Sequence, residues 1–230
     1  MITQLDLHLF KCFEIMRLPI APLTLLSGSN ASGKSSVLQA LVLLHQTIRE
    51  HEWSRRLMLN GESIRLGTVS DVIDKVNGRR TFEIGIKDGE NDYLWTFTGN
   101  RSEMSMAVDR IIVNGKQNDQ HDVLRFLLPY KIGVVPPKLA YRLQGLTYIT
   151  AERVGPREVY VLEDHQSASV VGPAGENAVS VLHWSRDEKV IGKLALPEAP
   201  NTCLRQVEER MRLFFPGCEL IVQQVPRQML

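Results

Sequence analysis

The chain has 230 residues, enough for one large domain or two small ones. Its 27 basic residues nearly balance its 26 acidic residues, and the net charge of +1 excludes a global field that would favour nucleic acid or an anionic membrane. Three separated cysteines without a CxxC pair, no apolar leader and no run of about 18 apolar residues predict a cytoplasmic protein without disulfides, a zinc site or a membrane span.

Two strands and a helix are predicted at the start of the chain. Apolar and polar residues alternate over residues 2–10, which predicts a half-exposed strand. Pro19 and Pro22 bracket a short connection, and the apolar residues 23–26 then predict a buried strand. Residues 35–50 predict a helix with one apolar face packed on a sheet, formed by Val37, Leu38, Leu41, Val42, Leu44, His45 and Ile48.

Between this strand and this helix lies GSNASGKSS, residues 28–36, which we call the glycine loop. It matches the phosphate-binding pattern G-x-x-x-x-G-K-[S/T] in full. Two glycines let the backbone N–H groups point inward, the lysine adds charge near the β and γ phosphates, and the serine hydroxyl would bind Mg²⁺. A glycine- and serine-rich turn that holds a lysine by chance is the alternative. The predicted ATP-binding residues are Gly28, Ser29, Asn30, Ala31, Ser32, Gly33, Lys34, Ser35 and Ser36, with Ser35 as the Mg²⁺ ligand.

An antiparallel β meander is predicted over residues 62–116. It begins with a short strand over residues 64–66, after an Asn60-Gly61 turn. Three further strands cover residues 82–86, 93–97 and 104–113, and an Asn-Gly turn closes the last one.

A mixed α/β remainder is predicted over residues 117–230. Its elements are a short helix over residues 121–128, a strand over 146–150, a helix in the second half of VGPAGENAVSVLHW, an amphipathic helix striped by Leu204, Val207, Met211 and Phe214, and a final strand over 219–225.

Three segments carry a family resemblance: LHLFKCFE, PLTLLSGSNASGKSSVLQALVLL and YITAERVGPR. They resemble ABC-class ATPases of the SMC, RecF and OLD-like type, and most of all prokaryotic AAA-type ATPases found in anti-phage and other operons. The resemblance implies an α/β fold with a P-loop NTPase core and an antiparallel β subdomain. Residues 1–230 would then form a single ATP-binding lobe, with the hairpin, loop and helix in residues 1–50.

The same resemblance implies three more site residues. Lys11, with Phe13, matches the motif FK.F, whose basic side chain reaches the phosphates; a solvated lysine at a strand end is the alternative. Arg153 matches YxxAxR and would reach the nucleotide or a partner head, or else form a surface salt bridge. Gln144 precedes a glycine as a Q-loop glutamine does and would help hold Mg²⁺, or else is a plain loop residue.

Motifs for hydrolysis are missing from the sequence. No signature segment, no apolar strand ending in Asp-Glu and no histidine switch occur, although hydrolysis in this class depends on them. The nearest substitute is VYVLED, where Glu163 and Asp164 come in the reverse order and could instead be a polar strand end. VGPAGENAV could imitate a signature or cradle an anion, or be a structural loop.

Three functions therefore stay open. The chain is the ATP-binding head of an SMC/RecF/OLD-like ATPase whose second lobe lies in another chain or was lost by truncation, or it is a complete small ATPase that uses Glu163 and Asp164. It could also be a non-catalytic interaction module with a vestigial nucleotide site. The resemblance implies as partners a second copy or a complementary lobe, and DNA or a nuclease.

Overall fold

The structure is a computed structural model that describes residues 1–73, 79–118, 123–164 and 170–224. Contacts divide the chain into two compact units, Met1–Leu146 and Thr147–Leu230. Each unit is described by itself.

The first unit contains nine strands and three helices among its described residues. The strands are β1 Gln4–Phe10, β2 Phe13–Pro19, β3 Arg56–Met58, β4 Thr81–Lys87, β5 Asp92–Thr98, β6 Ser105–Val113, β7 Lys116–Asn118, β8 Leu124–Arg125 and β9 Leu128–Pro129. The helices are α1 Lys34–Glu50, α2 Val69–Val72 and α3 Lys138–Gln144.

Seven of these strands form one antiparallel sheet with the order β2-β1-β4-β5-β6-β3, and β7 also pairs with β6. The N-terminal hairpin and the predicted meander thus share a sheet, which the sequence did not predict. The register lines up large apolar residues across it, since Leu7 faces Ile84, Ile84 faces Trp95 and Trp95 faces Ile111. All four are buried, and this row forms the centre of the core.

Helix α1 begins within one residue of its predicted start and ends where predicted. The second half of α1 is buried on nearly all sides. Leu43, Leu44 and Ile48 belong to the hydrophobic core of the first unit, and α3 also contacts the helix. His45 is also buried, and its Nδ1–H donates to the Leu143 carbonyl of α3 at 2.7 Å. Leu38, expected on the apolar face, is exposed instead.

Three predicted strands are wrong. Residues 23–26, 146–150 and 219–224 have no strand conformation, and Leu25 is 82% exposed. A strand needs a neighbour to satisfy its backbone groups, and no strand in the described ranges pairs with these segments. Val225, the end of the third segment, lies outside the described residues.

Two predictions in the first unit have the wrong element type. The helix over residues 121–128 is replaced, from residue 124 on, by the hairpin β8–β9, and residues 121 and 122 lie outside the described residues. The strand over residues 64–66 is only an isolated bridge between Asn60 and Arg65. Strands β3 and β7 and helices α2 and α3 were not predicted from the sequence.

The second unit has two described helices, α4 Ala178–Ser185 and α5 Cys203–Arg212, close to the two that were predicted. The buried residues in its described part are polar: Ser180, Gln206 and Glu208. The two N–H donors of Gln206 Nε2 are shared among the carbonyls of Leu196, Ala199 and Pro200, at 3.0, 3.1 and 3.2 Å from the nitrogen. The buried positions in the described part of this unit are therefore occupied by hydrogen-bonded polar groups.

Candidate functional site

The glycine loop, residues 28–36, ends in the first turn of helix α1, which begins at Lys34. Three of its residues have left-handed backbone conformations: Gly28 at φ 150°, Ala31 at φ 62° and Gly33 at φ 90°. Such turns curl a short segment on itself and bring successive N–H groups to one side. Gly28 and Gly33 adopt these angles without the steric cost of a Cβ, whereas Ala31 adopts one with its side chain in place.

Gly33 is required by its surroundings as well as by its backbone. A Cβ added there would lie 2.5 Å from Cζ of Phe13 and 2.7 Å from Sγ of Cys12. Cys12 lies in the turn of the β1–β2 hairpin, and Phe13 is the first residue of β2. The hairpin tip therefore packs against Gly33, just before α1 begins, an arrangement that was not predicted from the sequence.

Lys34 places its charge inside the loop. Its Nζ donates to the carbonyls of Gly28 at 2.8 Å and Ser29 at 2.6 Å, and lies 3.4 Å from Ser32 Oγ. An ammonium is a compact charge on a flexible stem, so it can turn from these carbonyls to an anion in the loop.

The first turn of α1 adds donors to the same place. Its first internal bond runs from the Val37 N–H to the Gly33 carbonyl at 3.1 Å, so the N–H groups of residues 34–36 have no partner within the helix. No acidic residue lies in that turn, and Ser35 is exposed. Positive helix dipole, free donors and lysine together suit a phosphate-bearing anion.

Lys11 lies beside this first turn. Its backbone is left-handed at φ 53°, and its N–H donates to the Val72 carbonyl at 2.8 Å. Its Nζ donates to Oε1 of Gln39 at 2.7 Å. Gln39 lies on α1, about one helical turn after Ser35. Burial lowers the pKa of Lys11, while Cys12 and Asp71 act in the opposite direction. The structure thus brings Lys11 and the glycine loop together.

Gln144 is not brought to Ser35. It is the exposed last residue of α3, next to Leu143, whose carbonyl contacts His45. His45 lies ten residues after Ser35 on α1, which is about 15 Å along the helix axis.

Arg153 belongs to the second unit. Its Nε donates to the Thr150 carbonyl at 2.6 Å, and the residue is exposed.

The acidic strand end at Glu163 and Asp164 is wrong. Residues 159–164 form no strand, and Val161 is 78% exposed. The segment instead runs beside α4: the Glu163 N–H donates to Ser180 Oγ at 3.1 Å, and Trp184 Nε1 donates to the Glu163 carbonyl at 2.9 Å. These side-chain bonds satisfy backbone groups that a ladder would otherwise use.

The loop before α4 has a structural role. The Thr150 N–H donates to the Pro173 carbonyl at 2.8 Å, and the Val154 N–H to the Ala174 carbonyl at 2.9 Å. The carboxylate of Glu176 accepts the Ala174 N–H at 2.8 Å. This loop binds its own carboxylate.

Among the described residues, no group of three or more His, Cys, Asp or Glu could hold a metal ion by itself. In the same part of the chain, no helix is long and apolar enough to span a membrane.

Comparison with known proteins relates the chain to a protein family and to a curated relative. The model of a family described as an AAA ATPase domain matches residues 1–124, more than half of the chain. A curated relative, the DNA replication and repair protein RecF of Limosilactobacillus fermentum, is 31% identical over 163 residues. This alignment covers 66% of the chain and 42% of the relative, so the chain spans less than half of that relative's length.

Proposed function

The chain belongs to the AAA ATPase domain family as an SMC/RecF-like member, and from this premise we propose that it binds Mg-ATP through the glycine loop, residues 28–36. Family membership implies a P-loop NTPase fold and a nucleotide ligand. The observation that carries the proposal is the position of Lys34, whose ammonium lies 2.6 and 2.8 Å from two loop carbonyls at the N-terminus of α1.

The residues present fit a triphosphate with its metal ion. The N–H groups of the loop and of the first turn of α1 would bind phosphate oxygens, and Lys34 would turn from its loop carbonyls to the β and γ phosphates. The Ser35 hydroxyl would hold Mg²⁺, which when bound neutralises phosphate charge. Lys11 would add a second cation from the hairpin tip. Arg153 as a contact to the nucleotide or a partner head stays a prediction. Gln144 follows Leu143, which contacts α1 ten residues after Ser35, so it is not proposed to share the magnesium ion of Ser35.

We further propose that residues 1–230 bind ATP but do not hydrolyse it in multiple turnovers by themselves. Hydrolysis requires carboxylates that support the metal and orient water. Glu163 and Asp164 were the candidates, and their segment lacks the strand that would aim them. A complementary lobe or a second head would supply the missing groups, with the chain as a single ATP-binding lobe.

The wider role of the protein is proposed from the relative alone. That relative is named for DNA replication and repair, so a DNA transaction is the proposed process and DNA a proposed partner. The predicted nuclease partner and cytoplasmic location stay predictions.

Nucleotide binding and turnover by the purified chain test the proposal. At 1 mM Mg-ATP, a site with a dissociation constant near 10 µM would stabilise the fold by about 2.7 kcal/mol, which a thermal shift detects. Lys34→Ala should lower the affinity at least about tenfold, because it removes a charged hydrogen-bond donor. Lys116→Ala on β7 is the matched control.

Each rival has its own outcome. No thermal shift at millimolar Mg-ATP would favour the interaction module. Multiple turnover that both Lys34→Ala and Glu163→Gln abolish would favour the complete small ATPase and refute binding without turnover.

A further inference from the structure

We propose that Gln39 is a positioning residue, which holds the ammonium of Lys11 beside the glycine loop so that it can meet phosphate oxygens. This inference rests on the proposed function. It starts from one contact, the 2.7 Å hydrogen bond from Lys11 Nζ to Gln39 Oε1.

The backbone fixes both ends of this contact. Lys11 sits at the turn between β1 and β2, and its N–H is bound by the Val72 carbonyl at 2.8 Å. Gln39 lies four residues after Ser35 on α1, and residues with this spacing are neighbours on one helix face. The contact therefore brings the ammonium to the helix face that carries the proposed magnesium ligand.

The chemistry of the partner suits a cation that must stay available. The Lys11 ammonium is half-buried, and a buried charge needs a hydrogen-bond partner. The amide oxygen of Gln39 supplies one without cancelling the positive charge. An ammonium has three donors, so this bond leaves two for phosphate oxygens. A carboxylate at position 39 would hold Lys11 equally well and would offset its charge.

A purely structural role is the rival explanation, since the same bond also ties the hairpin to α1. The two roles differ in one variant. Gln39→Glu keeps the tie as an ion pair, so it should preserve stability while it weakens nucleotide binding. Gln39→Leu removes the tie and should weaken both.

The test is a double-mutant cycle with Lys11→Met and Gln39→Leu, measured as Mg-ATP affinity by calorimetry. Each single variant should weaken binding about fivefold, the size expected for one hydrogen bond. The double variant should bind as Lys11→Met does, because Gln39 acts only through Lys11. Lys116→Met and Gln117→Leu are the matched controls. They make the same two changes at exposed positions of β7, a strand that pairs with β6, and should leave the affinity for Mg-ATP unchanged.

Two results would overturn the inference: a full additional loss from Gln39→Leu in the Lys11→Met background, or wild-type affinity in Gln39→Glu. A second cycle, urea unfolding without nucleotide, tests the contact itself. Additive shifts in the urea midpoint would show that the two side chains do not interact. If the wild-type protein does not bind Mg-ATP, both the proposed function and this inference fail. Non-additive shifts of the urea midpoint would then still show that Lys11 and Gln39 interact, so the error would lie in the proposed function and not in the contact.

Discussion

Gly33 meets two independent constraints, one of backbone and one of space. A left-handed conformation costs a residue with a Cβ about 1–2 kcal/mol, and Gly33 has φ 90°. In addition, the hairpin tip leaves no room for a methyl group, since the Phe13 ring would lie 2.5 Å away. The hairpin that packs on Gly33 is therefore sufficient to require glycine at this position.

Gly33→Ala should accordingly lower the free energy of unfolding by about 2–4 kcal/mol, the sum of backbone strain and overpacking. Urea unfolding measures the loss. Gly133→Ala is the matched control, because Gly133 has φ 82° but open space around its Cα, and it should lose only the backbone share of about 1–2 kcal/mol. Equal losses at the two positions would show that the Phe13 contact is absent.

At the scale of elements, the hairpin β8–β9 is held by a contact from the sheet. Its two turn residues, Phe126 and Leu127, both have φ 56°, a conformation that normally selects Asn and Gly. Both are buried, and Trp95 on β5 donates its Nε1–H to the Leu127 carbonyl at 2.7 Å. Core burial and this bond offset the strain of the turn.

Trp95→Phe should therefore lower the free energy of unfolding by about 2–4 kcal/mol, because it leaves the Leu127 carbonyl without its donor and opens a cavity. Trp53→Phe makes the same change at a side chain that is 52% exposed and should cost about 1 kcal/mol or less. Urea unfolding compares the two variants. A loss at Trp95 as small as that at Trp53 would contradict the role of the bond.

Elements that the sequence predicted are those whose pattern is local. Period-two alternation identified β1, β4 and β5, and the turn at Asn114-Gly115 marked the end of β6. An apolar stripe at helical spacing identified α1. Residues 23–26 have the same apolar character but no paired neighbour among the described strands, so composition alone misled. The hairpin at 124–129 was missed because tertiary contacts, rather than turn residues, stabilise it.

The candidate site also has a part that the sequence predicts and a part that it does not. The glycine loop was predictable because its spacing is fixed within nine consecutive residues. The contacts of Gly33 with Phe13 and of Gln39 with Lys11 join residues 20 and 28 positions apart, and no local pattern predicts which of many side chains meet there.

At the scale of the whole molecule, the two units are stabilised by different forces. In the described residues, the fully buried apolar side chains all belong to the first unit. The second unit depends on buried polar groups of α5, chiefly Glu208. Its carboxylate accepts from Leu220 N–H at 2.9 Å and from Arg205 and Arg212 at 2.8 Å each. Burial of apolar surface tolerates a change of pH, whereas a network built on one carboxylate does not.

The second unit should therefore open in acid before the first. The backbone hydrogen bond from Leu220, together with Arg205 and Arg212, lowers the pKa of Glu208, so its ionised form stabilises the fold. That stabilisation is complete above the unfolded glutamate pKa of about 4.3 and is lost as the pH falls through the lower folded value. Urea titrations followed by the indole NMR signal of Trp184 should show a falling midpoint below pH 4. Glu208→Gln should lower the midpoint at pH 7 and flatten this dependence, while Glu209→Gln, at a more exposed carboxylate, should change it little. An unchanged acid dependence in Glu208→Gln would assign the transition to other carboxylates.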